Sequence, residues 1–141
     1  MFILDTNVVS ELRKAKAGKA DANVVAWAAA QDPAALFLSA ITLLELEMGV
    51  MLAQRRDSAQ GAVLRAWMAD RLLTAFTGRV LPVDGPVALC CAALHVPDPR
   101  SDRDALIAAT GIVHAMPIVT RNVADFAPTG VKIINPWTPA D

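Results

Sequence analysis

Tyrosine is absent from this 141-residue chain, and aromatic residues make up only 5% of it, which leaves little for a surface that binds single strands by stacking bases. Trp67 accordingly reads as a core or interface residue. With two histidines, His95 and His114, and two adjacent cysteines, Cys90 and Cys91, no nitrogen and sulfur zinc set can be assembled. Neighbouring residues on a helix point about 100° apart, so the cysteine pair reads as packing thiols in an apolar stretch rather than a bridge. No apolar run approaches the roughly 18 residues of a membrane helix, and the opening residues carry an acid at position 5 with no basic region or cleavage site. A cytoplasmic protein with no membrane partner is the expectation. There is no surplus of positive charge: 13 Lys and Arg stand against 14 Asp and Glu, with a net charge of -1 and a pI near 6.1. This lowers the expectation of general nucleic-acid binding. The groups Arg13, Lys14, Lys16 and Lys19, Arg55 and Arg56, and Arg100 and Arg103 remain, and each fits a solvated face or a phosphate contact. P-loop, GxGxxG and GxSxG motifs are all missing.

What the chain does have is apolar residue, 55% of the sequence, with a mean hydropathy of +0.40. A single domain over residues 1–141 of this length buries roughly 68 to 70% of its unfolded surface without disulfides or a structural metal. The apolar excess predicts a homo-oligomer or another protein partner.

Short apolar runs at Phe2-Ile3-Leu4, Leu36-Phe37-Leu38-Ser39, residues 79–83, Pro117-Ile118-Val119-Thr120 and Lys132-Ile133-Ile134-Asn135 predict five strands. Helical patterns alternate with them over residues 7–14, 21–31, 41–54, 57–76, 86–96 and 101–115. That alternation predicts an α/β fold with a mainly parallel sheet flanked by helices. The stretch 41–54 is apolar on nearly every side, which predicts a buried helix.

Carboxylates interrupt this pattern at telling places. Asp5 follows the first strand, where ligands gather in parallel sheets, although Asp5, Thr6 and Asn7 are also good helix caps. Glu45 shares a helix face with Ile41, Met48 and Gly49, and Gly49 leaves room for another group to approach. Glu47 points elsewhere, toward solvent. Asp104 stands on one face with Ile107, Ala108 and Gly111, while Ser101-x-x-Asp104 also approximates a capping box. Asp102 projects nearly opposite and is expected to be exposed. Asp125 follows the fourth strand and its polar end, Thr120-Arg121-Asn122.

Helices after parallel strands begin at the edge where those strands end, so Asp5, Glu45, Asp104 and Asp125 can meet. Two carboxylates about 4 Å apart repel by roughly 4 kcal/mol at an effective dielectric of 20, and no buried Lys or Arg is evident to answer them. All-oxygen ligands select hard ions, so Mg²⁺ or Mn²⁺ is indicated. Such an ion can orient and activate water for in-line attack on a phosphate.

The segments Phe2-Ile3-Leu4-Asp5-Thr6-Asn7, Leu43-Leu44-Glu45-Leu46 with Gly49, residues 104–110 and residues 120–126 together resemble the successive acidic motifs of PIN-domain ribonucleases. The likeness is strongest to the VapC-type toxins of bacterial toxin-antitoxin pairs, in their FitB-like branch, and it covers essentially the whole chain. The resemblance implies a five-stranded parallel sheet, a Mg²⁺- or Mn²⁺-dependent endoribonuclease acting on RNA, a homodimer and a cognate antitoxin. By position, Asp5, Glu45, Asp104 and Asp125 match the family's acidic quartet, with Asp5 and Asp104 the firmest metal ligands. Thr6, Asn7, Thr120 and Asn122 match its neighbouring polar positions, where they would orient water or ligands. Thr6 and Asn7 are then expected to cap the first helix in place of Asp5.

Two other readings compete. A haloacid-dehalogenase-type phosphatase also ends its first strand in a nucleophilic Asp, but that chemistry wants a second acid two residues on, where this chain has Asn7. A non-catalytic PIN-like scaffold would use the apolar helices for binding and has no need of four carboxylates.

Overall fold

The computed structural model describes residues 1–139. Five strands, β1 (Phe2–Leu4), β2 (Leu36–Ser39), β3 (Val80–Leu81), β4 (Ile118–Val119) and β5 (Ile133–Ile134), form one sheet in the order β3-β2-β1-β4-β5. Every pairing is parallel, so the expected mainly parallel sheet is wholly so. Ile3 pairs with both Phe37 and Ile118, which puts β1 at the centre. Its side chains alternate between two covered faces. Leu4 joins Val8, Leu38, Leu46, Val50, Met68 and Val119 on one side, and Ile3 joins Ile107, Ala108, Ile118 and Phe126 on the other. A strand buried on both faces has no polar alternation, and this is why β1 reads as an unbroken apolar run.

The helices are α1 (Thr6–Arg13), α2 (Ala22–Ala29), α3 (Ala40–Arg56), α4 (Ser58–Trp67), α5 (Leu73–Ala75), α6 (Gly85–Leu94), α7 (Asp102–His114) and α8 (Val123–Phe126). Helices α4 and α5 are the two ends of the single helix expected over residues 57–76, with a π-turn at Met68–Leu72 between them. That turn keeps Met68 and Leu72 buried. The thiol of Cys91 packs with Val87, Ala105 and Ala109 between α6 and α7, and both cysteines are free. Burial pushes the Cys91 thiol above its ordinary range, helped by the charge of Asp102.

Two expectations for α3 need correction. It is not buried all round: Leu44, Met48, Met51 and Leu52 are 45%, 41%, 54% and 57% exposed, and their spacing places them along one side of the helix. The room expected at Gly49 is there: an added Cβ would meet nothing within 4 Å. Glu47 does not simply reach solvent; it accepts a 2.7 Å hydrogen bond from Arg65 Nη1, tying α3 to α4.

Two other glycines set the distances between elements. A Cβ at Gly111 would lie 2.8 Å from Ile118 Cδ1 and 2.9 Å from the Met116 carbonyl oxygen, so α7 rests close against β4. At Gly61 the Cβ would lie 2.4 Å from Gln54 Cα and 2.8 Å from Gln54 N. Backbone cannot swing aside as a side chain can. Gly61→Ala is therefore expected to lower unfolding stability by about 1 to 3 kcal/mol through overpacking of α3 against α4, measured by urea denaturation.

Candidate acidic site at the carboxyl edge of the sheet

Asp5 follows β1 at the middle of the sheet and is only 4% exposed. Its backbone N–H donates to the Val119 carbonyl oxygen at 2.9 Å, which fixes it beside the end of β4. The side chain is held at both oxygens. Oδ1 accepts from the Thr6 backbone N–H at 2.8 Å, while Oδ2 accepts from Thr120 Oγ1 at 2.8 Å and from Asn7 Nδ2 at 3.2 Å. Asp5 is thus the N-cap of α1 as well as the strand-end carboxylate, and the expectation that Thr6 and Asn7 take over the cap is corrected.

Thr120 is the hinge of this network. Fully buried, its hydroxyl donates to Asp5 and accepts from Asn7 Nδ2 at 3.3 Å and from the Asn122 backbone N–H at 3.0 Å. Asn7 Oδ1 in turn accepts from the Arg121 backbone N–H at 3.3 Å. The loop after β4 is therefore bound to the loop after β1 by side chains from both. Asn122 contributes its backbone, and its side chain is exposed.

Glu45 enters from the second turn of α3. Thr6 Oγ1 donates to its Oε1 at 2.8 Å and stands 3.5 Å from Thr42 Oγ1, while Arg103 Nη1 lies 3.7 Å from its Oε2. Thr42 and Arg103 were not assigned to the site from sequence. Thr42 lies one turn before Glu45 on the same helix, and Arg103 directly precedes Asp104, so adjacency to the acids is the signal that marks them.

Asp104 stands partly buried on the first turn of α7. Ser101 Oγ accepts from its backbone N–H at 3.4 Å, which is one half of a capping box. Among the described residues the reciprocal bond from the Asp104 carboxylate to the Ser101 N–H is not made, so the cap leaves the carboxylate free. Asp102 turns away as expected, with a side chain 91% exposed and Oδ1 3.3 Å from His95 Nε2. Asp125 lies not directly beyond a strand but on the one-turn helix α8, where it is exposed. It acts on the group through its charge.

The electrostatics show which acids face one another. Burial pushes the Asp5 carboxyl above its ordinary range; hydrogen bonds from Thr120 and the Thr6 backbone oppose this, the charge of Glu45 adds to it, and the bond from Asn7 opposes it. Asp104 is also raised, first by burial and then by the charges of Asp5, Asp125 and Glu45. Asp5, Asp125 and Glu45 therefore all act on Asp104 through their charge, and Arg103 is the one cation in ion-pair contact with any of the four among the described residues.

Among the described residues, no three acids, histidines or cysteines are close enough to form a ready-made metal cage. The donor set nevertheless suits a hard divalent cation. It is all oxygen, its central member is buried with a raised pKa, and Mg²⁺ is typically held by one or two carboxylates with waters in its other positions.

A parallel five-stranded sheet with converging acids at its carboxyl edge is the architecture of a PIN domain, and the PIN domain family model matches residues 2–129. The chain is 39% identical to VapC ribonuclease Y4jK of Sinorhizobium fredii, over 99% of this chain and all of that one. It is 34% identical to toxin FitB of Neisseria gonorrhoeae, over 97% and 99%. Its structure superposes on the crystal structure of FitAcB from Neisseria gonorrhoeae with a TM-score of 0.87 at 34% identity, covering 97% and 99% of the two chains. The chain belongs to the PIN-domain family, in its VapC and FitB group of toxin ribonucleases.

Proposed function

We propose that this chain is a Mg²⁺- or Mn²⁺-dependent endoribonuclease and the toxin of a toxin-antitoxin pair, hydrolysing RNA phosphodiester bonds. The observation that carries the reading is Asp5: a buried carboxylate at the end of the central strand, held at both oxygens, under the charge of Glu45 and acting by its own charge on Asp104. Uncompensated, such a group is costly. Asp5 and Asp104 would hold the cation, with Glu45 and Asp125 adding negative charge around it.

A divalent ion held there would supply positive charge to the phosphate and help to activate water for attack. The chain's own residues supply the order. Thr120, Asn7 and the Thr6 backbone fix the Asp5 carboxylate, so that its geometry does not have to be built when substrate arrives. The Thr6 hydroxyl and Arg103 do the same for Glu45, and Asn122 holds the Thr120 hydroxyl from the far side. Glu45, whose Oε1 accepts from Thr6 and whose Oε2 lies 3.7 Å from Arg103, is the acid proposed to take a proton from the attacking water.

The relatives named ribonuclease and toxin support an antitoxin partner, and the exposed stripe Leu44, Met48, Met51 and Leu52 supports burial of α3 against protein, as in a homodimer. Among the described residues no helix is long and apolar enough to cross a membrane.

The test is cleavage of structured RNA by the purified chain with Mn²⁺. Wild type is expected to cut, chelator to stop it, and Asp5→Asn combined with Asp104→Asn to remove it. Cleavage that survives the double substitution overturns the assignment. In cells, induced expression is expected to halt growth unless the small protein encoded beside it is present.

A further inference from the structure

From Val96 to Arg103 every residue except Arg100 is exposed, and the first fully buried residue of α7 is Ala105. Apolar packing therefore holds α7 only from Ala105 onward. The first turn, which carries Arg103 and Asp104, has to be held by polar contacts. Ser101 supplies one, accepting from the Asp104 backbone N–H at 3.4 Å, but from within the same turn, so it shapes the turn without anchoring it to the rest of the fold. The Arg103 contact with Glu45 does reach α3, across 3.7 Å and from a side chain 50% exposed.

His95, directly after α6, reaches the start of α7 with both ring nitrogens. Its Nδ1 accepts from the Arg100 backbone N–H at 3.3 Å, and its Nε2 lies 3.3 Å from Asp102 Oδ1. An accepting Nδ1 leaves the hydrogen of the neutral ring on Nε2, the atom that faces the Asp102 carboxylate. Arg100 closes the loop from its own side, with Nε donating to the Leu94 carbonyl oxygen at 2.6 Å. One half-buried ring thus grips the chain on either side of the Ser101 cap. The C-terminus of α6 accounts for a basic residue at this position. It does not account for both nitrogens being directed at the next helix.

We infer that His95 is a positioning residue of the acidic site: by tying Arg100 and Asp102 to the end of α6, its imidazole fixes the first turn of α7 and with it the Asp104 carboxylate. The inference rests on the proposed ribonuclease, in which Asp104 holds the cation, and adds to it a residue that acts only through others. Its two contacts are unequal. The Asp102 side chain is 91% exposed, so solvent screens the attraction. The Arg100 contact closes the loop 96–99 and fixes main chain directly, and it is the one that places Asp104.

Asparagine sets an amide oxygen near the position of Nδ1, and glutamine an amide nitrogen near that of Nε2, so the two substitutions separate the contacts. His95→Asn, His95→Gln and His95→Ala are compared with the parent by amide hydrogen exchange in chelator, by Mn²⁺ titration calorimetry and by RNA cleavage. His95→Ala and His95→Gln are expected to speed exchange at the Arg100 and Asp104 amides about 2- to 10-fold, the range for one lost hydrogen bond, with β1 and β4 unchanged. The same two variants are expected to bind Mn²⁺ about 10-fold more weakly, the lower end for residues that orient metal ligands, and to lose kcat while KM for RNA holds. His95→Asn is expected to restore all three. Exchange equal to the parent's in every variant overturns the inference. Faster exchange with unchanged Mn²⁺ affinity also overturns it, because His95 is then a loop brace alone, and so does faster exchange throughout the sheet, because His95 then supports the whole fold. A parent chain that binds no Mn²⁺ and cuts no RNA removes the ribonuclease reading instead, and exchange at Arg100 and Asp104 still shows whether His95 fixes the turn.

Discussion

Asp104→Asn is expected to cut RNA about 10²- to 10³-fold more slowly than the parent chain, and in chelator at neutral pH to melt slightly above it. Both effects come from one cause. The Asp104 carboxyl is raised by burial and by the charges of Asp5, Asp125 and Glu45, so its ionised form is disfavoured in the metal-free fold. A neutral amide of the same shape removes that repulsion and keeps the helix start, which Ser101 caps through the Asp104 backbone N–H. Because Asp104 is partly exposed, solvent screens the gain, and a rise of about 2 °C is the scale to look for. The pH dependence has a definite sign. For Asp5 and Asp104 the folded pKa lies above the unfolded one. Their contribution to stability is complete below the ordinary carboxylate range and is lost as pH rises through the raised values. The metal-free parent should therefore lose stability from mildly acidic to neutral pH, the variant less so. Mn²⁺ should reverse this for the parent, because binding to the folded state alone stabilises it. Melting curves in chelator and in Mn²⁺ across that range check all three statements. An Asp104→Asn protein that melts lower in chelator and still gains from Mn²⁺ as the parent does would contradict them.

Thr120→Val should be nearly as damaging although Thr120 is assigned no contact with the cation or RNA. Its hydroxyl makes three hydrogen bonds, to Asp5, Asn7 and the Asn122 backbone. Valine keeps the volume and removes all of them. Outer partners of metal ligands typically carry 10- to 100-fold in activity or metal affinity, and the unpaired groups left behind cost about 1 to 3 kcal/mol of stability. The Thr120 bond is also the largest influence holding the Asp5 carboxyl down against burial. Without it the carboxyl moves further up, and since the ionised form is the one that would hold a cation, the acid limb of the pH-rate profile is expected to shift to higher pH. Thr120→Ser is expected to restore the profile. Loss of activity with an unshifted acid limb would show that Thr120 acts on something other than Asp5.

The sheet was legible because its strands are buried on both faces: Ile3 and Leu4 point to opposite layers and both are apolar, so sequence periodicity marks a strand without saying which neighbour it has. The acids were legible because each breaks an apolar pattern at the start of a helix or the end of a strand. What periodicity cannot carry is rotation and reach. It placed Asp125 with the strand-end acids, whereas the one-turn helix α8 leaves it exposed. It gave α3 an apolar surface all round and took that for burial, when one side of the helix is left to solvent. Nor did it reveal that Arg103 turns to Glu45 from a different helix, or that the helix over residues 57–76 takes a π-turn at Met68–Leu72. These features depend on contacts distant in sequence, and no local window contains them.

The bond between Thr120 and Asp5 joins residues 115 positions apart. Contacts of such separation carry a large loop-closure cost and form late when a chain folds. The central strand leaves the ribosome early, yet its carboxylate acquires its ordered setting only after β4 has docked alongside. A nascent or prematurely ended chain therefore holds Asp5 without the hydroxyl that orders it. The setting of the Asp5 carboxylate is thus completed by the part of the sheet that is last to join it.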